Sequence, residues 1–193
     1  MNKNVLITGA SKGIGRALSL IFAKEKHNLA ICARSKKDLH LLKSEINRQY
    51  PDVTVFVKAV DVSIKSEVIL FGKNAMEALG NIDILINNVG TFLPGKITEE
   101  EDGVFEQMIY TNLAPAYFLS RLLAPEMIKR RMGHIVNICS TASFVPYTNG
   151  GSYCISKYGE LGLSRVLREE LKPHGVKVTA VMPGATNTDS WNG

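Results

Sequence analysis

Short apolar runs alternate with amphipathic segments along most of the chain. Six of these runs are rich in β-branched residues and nearly free of polar interruptions, which is typical of parallel strands covered on both faces of a sheet. The six predicted strands span residues 5–8, 29–33, 53–59, 82–87, 134–138 and 176–181.

The segments between these strands have helical periodicity. Two apolar stripes are formed by Ala17, Leu18, Ile21 and Phe22, and by Ile64, Val68, Phe71, Ala75 and Leu79. Two pairs at capping-box spacing predict helix starts, namely Ser35 with Asp38 and Thr98 with Glu101. Pro173 and Gly175 predict the end of the helix before the sixth strand.

Six strands interleaved with five helical segments indicate βαβ units joined by right-handed crossovers. The sequence therefore predicts an α/β fold of the Rossmann type, a doubly wound and mostly parallel sheet with helices on both faces. No internal repeat or linker-like stretch divides the chain. We expect a single domain, residues 1–193, to carry both the cofactor site and the catalytic residues.

Composition and charge narrow the class of protein further. Hydrophobic residues make up 45% of the 193 residues and charged residues 21%, which excludes intrinsic disorder as the main state. The net charge of +5 is spread out, and its longest clusters, at residues 36–37 and 129–131, fall where solvated helix faces are expected. We therefore expect no nucleic-acid partner.

The chain also lacks the segments that would send it to a membrane or out of the cell. No apolar run reaches the roughly 18 residues that a membrane span needs, and glycines follow the N-terminus too soon for a signal peptide. We expect a cytoplasmic protein without a membrane partner. Cys32, Cys139 and Cys154 lack metal-ligand spacing, and their odd number favours reduced thiols.

The first predicted strand leads into a glycine-rich turn and then a helix. Residues 8–15 read Thr-Gly-Ala-Ser-Lys-Gly-Ile-Gly, with the spacing G-x-x-x-G-x-G. Glycines let the backbone approach a ligand closely, and the free N–H groups and positive dipole end of the helix favour an anion such as a pyrophosphate. In an alternating chain, this position predicts a dinucleotide-binding loop.

The end of the second predicted strand indicates which nicotinamide cofactor binds. An Asp or Glu there would bond the ribose 2′-hydroxyl of NAD, but residues 32–35 read Cys-Ala-Arg-Ser. Arg34 can form a bidentate contact with a 2′-phosphate, and Lys12 can add a second positive charge. The sequence therefore predicts NADP(H).

A third group of candidates is Ser140, Tyr153 and Lys157. Tyr153 and Lys157 are four residues apart on a predicted helix and so share a face. A nearby ammonium stabilises a phenolate, which lets Tyr153 exchange a proton with a carbonyl or alcohol oxygen. Ser140 ends the fifth predicted strand and can hydrogen-bond the same oxygen.

Together these motifs resemble the short-chain dehydrogenase/reductase family. The match runs in order from residue 5 to residue 188 and comprises the glycine loop, Asp61 with Val62, residues 87–90, Asn112, Ser140, Tyr153 with Lys157, and Pro183 and Gly184 with Thr186 and Thr188. Residues 183–191 are similar both to ketoacyl carrier-protein reductases and to sepiapterin-type reductases. Two small departures, Val89 in place of the usual Ala and Cys139 before the serine, leave the implied chemistry intact.

The resemblance implies roles for four catalytic residues. Tyr153 is expected to be the general acid in carbonyl reduction, and Ser140 to hold the substrate oxygen. Lys157 is expected to promote ionisation of Tyr153 and to bond the nicotinamide ribose. Asn112 is expected to lie beside a water that links Lys157 to solvent.

The resemblance also implies a site for NADP(H) and no metal. Its expected contacts are Gly9, Ser11, Lys12, Gly13, Ile14, Gly15, Arg34, Asp61, Val62, Asn88, Gly90, Tyr153, Lys157, Pro183, Gly184, Thr186 and Thr188. Asp61 and Val62 would contact the adenine, and the residues after the sixth strand would support the nicotinamide and the phosphates.

Family members usually continue past the Pro-Gly motif through a substrate-covering segment, a further helix and a seventh strand. The sequence ends at Gly193, so we expect the C-terminal part of the fold to be incomplete. Because that part usually carries substrate specificity and much of the tetramer interface, a homodimer or homotetramer is expected only when it is present.

The leading interpretation is an NADP-dependent carbonyl reductase that acts on a small-molecule substrate. Six apolar or aromatic residues are expected near the cleft, namely Phe92, Leu93, Phe144, Val145, Tyr147 and Trp191. They favour a ketoacyl thioester, a steroid or a flat heteroaromatic ketone as the substrate. One alternative is a non-catalytic redox sensor that binds NADP on the same fold, although such a sensor has no reason to retain all four catalytic residues. A nucleic-acid-binding protein is a third, which only the basic charge favours.

Overall fold

The computed structural model describes residues 2–184 and Thr186. Six parallel strands form one sheet in the order β3-β2-β1-β4-β5-β6, with helices on both faces, and this confirms the predicted doubly wound fold. The strands are β1 (Asn4–Thr8), β2 (Asn28–Ala33), β3 (Val55–Ala59), β4 (Ile84–Asn87), β5 (Gly133–Ile138) and β6 (Val176–Val181). Thr188 and Trp191, for which the sequence predicts ligand contacts, lie outside the described residues.

Six α-helices lie between these strands in the described part of the chain. They are α1 (Gly13–Lys24), α2 (Lys36–Gln49), α3 (Lys65–Leu79), α4 (Val104–Met108), α5 (Ala114–Arg130) and α6 (Gly151–Leu171). A π-helical turn, Ile109–Leu113, joins α4 to α5, and short 3₁₀ turns occur at Thr141–Ser143 and Lys172–His174. None of the helices within residues 2–184 is both long enough and apolar enough to span a bilayer.

The sheet is buried on both faces, which explains the continuous apolar runs of its strands. In β1, Leu6 and Ile7 are both fully buried but belong to different core clusters. Leu6 packs in the cluster that includes Phe71 of α3 and Leu119 of α5. Ile7 packs in the cluster on the opposite face, which includes Leu39 of α2.

Polar side chains lock the edge of the sheet where the strands begin. The Asn4 side chain donates to the carbonyls of Leu79 and Asn81 at 2.7 and 2.9 Å. The Asp83 carboxylate accepts from the Asn4 N–H at 2.9 Å and from Arg130 of α5 at 2.7 Å. These contacts fix the starts of β1 and β4 against the ends of α3 and α5.

The observed strands differ from the predicted ones mainly at two starts. β3 begins at Val55 rather than at residue 53, and β4 begins at Ile84 rather than at residue 82. Val53 and Ile82 are buried just ahead of their ladders. An apolar pattern extends over such residues because it reports burial and does not report strand pairing.

The stripe predicted on α1 is wrong at two of its four positions. Ala17 is exposed, and Ile21 is 56% exposed. The fully buried positions of α1 are instead Gly15, Ser19 and Ala23. Small residues let this helix lie close to the sheet. A pattern of large apolar side chains does not reveal these small buried positions.

One of the two predicted helix starts is wrong. Ser35 caps α2, since its hydroxyl accepts the Asp38 N–H at 3.2 Å. Thr98 and Glu101 begin no helix, because Glu99 and Glu100 donate their N–H groups to the Lys96 carbonyl in a turn. The helix that follows begins only at residue 104, after a glycine with a φ of +91°.

The contact between α3 and α5 depends on Gly72. A Cβ at this position would lie 2.5 Å from Leu122 Cδ2 and 3.1 Å from Leu119 Cδ2. We expect Gly72→Ala to destabilise the protein by about 1–3 kcal/mol. Gly162→Ala is the matched control, because a Cβ there meets no described atom within 4 Å, and it should stabilise α6 by about 0.5–1 kcal/mol. Urea unfolding that gave both variants the same stability would contradict this packing.

Candidate active site

The glycine loop is tied to the end of β4 by two polar side chains. Thr8 Oγ1 accepts the N–H groups of Asn88 and Val89 at 3.0 and 3.2 Å. Asn88 Nδ2 donates in return to the carbonyls of Thr8 and Gly9 at 2.9 and 3.1 Å. The predicted cofactor residue Asn88 therefore shapes the loop that follows β1.

The loop leaves no room for a side chain at its third glycine. A Cβ at Gly15 would lie 2.3 Å from the carbonyl oxygen of Gly9 and 2.6 Å from Asn88 Nδ2. Gly9 itself adopts a φ of +67°, a conformation that favours glycine. The first N–H groups of α1 have no partner within the helix, and they follow the end of β1, where an anion can bind them.

The ends of β2 and β3 bring opposite charges together. Arg34 is exposed immediately after β2, and Asp61 is exposed two residues after β3. The hydroxyl and N–H of Ser63 donate to Asp61 at 2.7 and 3.0 Å, and these bonds together with the Arg34 guanidinium hold the pKa of the Asp61 carboxyl below its ordinary value. The Arg34 charge thus acts on Asp61, an electrostatic interaction that their separation in sequence conceals.

Asn112 lies in the π-helical turn between α4 and α5. It is buried, its Oδ1 accepts the Thr91 N–H at 2.9 Å, and its Nδ2 donates to the Thr91 carbonyl at 3.0 Å. Nδ2 also donates to Ser156 Oγ of α6 at 3.0 Å. Widened turns of this kind recur at functional sites, and here the turn joins the segment after β4 to α6.

Ser140 and Tyr153 approach the same edge from β5 and α6. Ser140 Oγ accepts the Ala142 N–H at 3.1 Å, so its own hydroxyl hydrogen can be donated into the crevice. The Tyr153 ring meets the Phe92 ring edge-on at a centroid distance of 4.9 Å. Phe92 follows β4, and this contact places an apolar wall beside the phenol.

Lys157 is buried and held by two acceptors. Its Nζ donates to the Ile138 carbonyl at 3.0 Å and to Glu160 Oε2 at 2.7 Å. Ile138 is the last residue of β5, two positions before Ser140. The bond to Ile138 therefore fixes the Tyr153–Lys157 face of α6 against the end of the strand that leads to Ser140.

Glu160 is a site residue that the sequence does not predict. Its side chain is 1% exposed, and burial raises the pKa of its carboxyl to about 7, although the Lys157 ammonium opposes this shift. Burial also raises the pKa of the neighbouring Cys139 thiol to about 11. One signal could have revealed Glu160. It is a charged residue three positions after the lysine, on the inward face of the helix.

Glu100 is a second residue that the sequence does not predict. Its carboxylate accepts the N–H of Ser152 at 2.8 Å and also accepts the Ser152 hydroxyl. Ser152 is the second residue of α6 and directly precedes Tyr153. Glu100 thus caps the helix that carries Tyr153 and Lys157, with an anion at the positive end of the helix dipole.

The structure brings most of the predicted site residues to one edge of the sheet, around the crevice between β1 and β4. They are Gly9, Ser11, Lys12, Gly13, Ile14 and Gly15 after β1; Asn88 and Gly90 after β4; Ser140 after β5; Pro183, Gly184 and Thr186 after β6; and Asn112, Tyr153 and Lys157 from the helical segments. Arg34, Asp61 and Val62 lie farther along the same edge, at the ends of β2 and β3. Thr188 is outside the described residues.

This arrangement can be compared with known proteins. The family model for short chain dehydrogenase matches residues 3–193. The 3-oxoacyl-[acyl-carrier-protein] reductase FabG of Staphylococcus epidermidis is 31% identical over 193 residues, which cover 100% of this chain and 78% of that protein. The sepiapterin reductase of Chlorobaculum tepidum is 33% identical over 198 residues, covering 99% of this chain and 80% of that protein.

Solved structures agree with these sequence matches. A short-chain dehydrogenase from Sphingobium yanoikuyae, determined in complex with NADPH, has a TM-score of 0.92 and 33% identity, over 98% of this chain and 73% of that one. An alcohol dehydrogenase from Thermococcus sibiricus, complexed with 5-hydroxy-NADP, has a TM-score of 0.92 and 28% identity, over 98% and 79% of the two chains. The chain belongs to the short-chain dehydrogenase/reductase family of oxidoreductases, as its motifs predict.

The cap on α6 can be tested by comparing two adjacent glutamates. Glu100→Ala removes both acceptors at the start of α6 and should cost about 0.5–2 kcal/mol of stability. Glu99→Ala is the control, because Glu99 is exposed and its surface ion pair with Lys96 contributes little. Urea unfolding and amide exchange in the first turn of α6 would measure the difference, and equal behaviour of the two variants would contradict the capping role.

Proposed function

We propose that this protein is an NADP(H)-dependent oxidoreductase that reduces a carbonyl group to an alcohol, with Tyr153 as the general acid. One observation carries the proposal above the others. The Lys157 ammonium is bonded to the carbonyl at the end of β5, so one buried contact sets Tyr153, Lys157 and Ser140 around the same edge of the sheet. Its Nζ also lies 3.4 Å from where a Cβ of Gly90 would be, and so it borders the crevice.

The residues around the crevice fit a dinucleotide. The glycine loop presents helix N–H groups to an anion, as a pyrophosphate requires. The absence of a side chain at Gly15 and Gly90 leaves backbone along the crevice, where a ligand can approach it closely. A bound nicotinamide of NADPH supplies a hydride to the carbonyl carbon.

The side chains handle the oxygen and its proton. Tyr153 donates its phenolic proton to the carbonyl oxygen as that oxygen gains negative charge. Ser140 donates a hydrogen bond to the same oxygen, since accepting the Ala142 N–H uses one lone pair of its oxygen and not its hydroxyl hydrogen. The Lys157 ammonium stabilises the phenolate left behind, and Asn112 holds the surrounding segment in place until solvent returns the proton.

Arg34 and Lys12 support a preference for NADP(H) over NAD(H). Arg34 directly follows β2, where the adenosine ribose rests in dinucleotide-binding folds, and Ala33 offers no carboxylate to the ribose hydroxyls. Both cations are exposed, so a 2′-phosphate can reach them. Two of the solved relatives were determined with NADPH or 5-hydroxy-NADP.

An apolar ketone is the substrate class that the described surface supports. Phe92, Phe144, Val145 and Tyr147 are all between 38% and 54% exposed, although each is a large apolar residue. Phe92 contacts Tyr153 directly. A 3-ketoacyl thioester, a pterin-type ketone or another apolar ketone fits this wall, and the names of the two curated relatives agree with the first two classes.

Removing one hydroxyl tests the proposed general acid. Tyr153→Phe should lower carbonyl reduction by about 10²–10⁴-fold or more, because proton transfer is lost, while NADPH binding persists. The measurement is NADPH oxidation against a panel of ketones and ketoacyl thioesters, together with a fluorescence titration of NADPH.

The matched control is Tyr158→Phe, which removes the same hydroxyl from an exposed position of the same helix. It should retain full activity. Near-normal turnover by the Tyr153→Phe variant would exclude Tyr153 as the acid, and a wild-type protein inactive on the whole panel would overturn the proposed reaction.

Exchanging the end of β2 tests the cofactor preference. Ala33→Asp combined with Arg34→Ser adds a carboxylate for a free 2′-hydroxyl and removes the cation for a 2′-phosphate, so a preference for NADPH of roughly 10²-fold should invert. The measurement is the ratio of Kd values for NADPH and NADH at fixed low salt. Arg48→Ser, which removes an exposed charge at the end of α2, should leave that ratio unchanged. A wild-type ratio near one would refute the assignment of Arg34.

A further inference from the structure

The Lys157–Glu160 ion pair places a second ionisable group behind the proposed proton donor. Glu160 lies one helical turn after Lys157 on α6, and the two side chains are 5% and 1% exposed at a separation of 2.7 Å. The Lys157 Nζ that bonds Glu160 also borders the crevice, since it lies 3.4 Å from where a Cβ of Gly90 would be. The carboxylate therefore acts on the site through the ammonium.

Glu160 is a charged residue on the buried face of α6, where its carboxylate needs a partner. Apart from Lys157, its neighbours along the buried face of α6 are uncharged, and they include Leu161, Ser164 and Leu167. A buried carboxylate loses its hydration and is tolerated only with a partner. Ser164 Oγ donates to the backbone carbonyl of Glu160, not to its carboxylate. The bond from Lys157 is thus the interaction that compensates the Glu160 charge.

Two titratable groups interact with Glu160, one on α6 and one at the end of β5. On α6, the partner of Glu160 is Lys157. From the end of β5, the Cys139 thiol feels both charges, since Glu160 raises its pKa and Lys157 lowers it. The Cys139 thiol stays protonated at neutral pH because burial raises its pKa to about 11. The charges of this pair behind Tyr153 are therefore those of Lys157 and Glu160, and the Tyr147 phenol is a further titratable group that interacts with Tyr153.

We propose that Glu160 is a positioning residue that sets the net charge Lys157 presents to Tyr153, and so keeps Tyr153 protonated for carbonyl reduction. This inference rests on the proposed function. When Glu160 is ionised, the buried pair is neutral overall and stabilises a phenolate less than an ammonium alone would. When Glu160 is protonated or replaced, the full positive charge of Lys157 acts on the phenol.

The pH dependence follows from the burial of Glu160. Because burial raises the pKa of Glu160 to about 7, the carboxyl gains its charge as the pH rises through neutrality. The pair changes from a net charge of +1 to zero over the same range. The ionised carboxylate then opposes ionisation of Tyr153 at the higher pH values where a phenol would begin to lose its proton, so reduction extends to more alkaline solution.

The experiment is an NMR titration of Tyr153 in protein labelled with ¹³C at tyrosine Cζ, without cofactor or substrate. The chain has six tyrosines, and Tyr153→Phe identifies the relevant signal. Glu160→Gln keeps an acceptor oxygen for Lys157 but removes the charge. It should lower the midpoint of Tyr153 ionisation by about one pH unit, equivalent to about a tenfold increase in the ratio of phenolate to phenol.

Three further variants separate charge from structure. Glu169→Gln removes a carboxylate from an exposed position of α6 and should leave the midpoint unchanged. Glu160→Asp retains the carboxylate and should keep the midpoint close to that of the wild type. Glu160→Met fills the same space without charge, so it supplies the measurement if Glu160→Gln does not fold, and it should also lower the midpoint.

A midpoint that is unchanged or raised in the uncharged Glu160 variants would overturn the inference. The NMR titration needs no substrate. Inactivity toward every ketone would therefore refute the proposed function, but the titration would still test the role of Glu160. Where a substrate is found, the alkaline fall in kcat for NADPH oxidation should move to lower pH in Glu160→Gln and stay in place in Glu169→Gln.

Discussion

The common direction of the six strands is the constraint on which the rest of this structure depends. In a parallel sheet every strand ends at the same edge, and the order of strands reverses between β1 and β4, where the following loops separate and leave a crevice. The register places Thr8 opposite Cys32 and Asn87 opposite Asn137, so the strand ends are level. Segments that are far apart in sequence meet at this edge because each of them follows the end of a parallel strand.

Buried polar contacts convert that edge into a defined site. Asn88 holds the glycine loop, Asn112 joins the segment after β4 to α6, and Glu100 fixes the start of α6. Each of these side chains bonds backbone groups that would otherwise lack partners at a loop or a helix end. The most demanding contact is that of Lys157, since a buried ammonium must be compensated by nearby acceptors. Its position between β5 and Glu160 satisfies that demand.

The fold and the main site motifs could be predicted because they depend on local patterns. Continuous apolar runs reveal buried parallel strands, glycine spacing reveals the loop after β1, and the spacing of Tyr153 and Lys157 reveals their shared helix face. Glu100 could not be found this way, because it acts on Ser152, 52 residues away. Predicting Glu160 requires knowing which face of α6 is buried. That face is hard to identify from sequence, because on α1 the buried face consists of small residues.

The two edges of the sheet differ in how they are held together. Where the strands begin, Asn4, Asp83 and Arg130 form a closed set of hydrogen bonds that serves no chemistry. Where they end, loops and exposed aromatic residues surround an open crevice. Hydrogen bonds within the chain satisfy the polar groups at the first edge, whereas the second edge leaves apolar side chains exposed for a ligand to cover. Internal closure and access for a ligand are thereby divided between opposite ends of the same six strands.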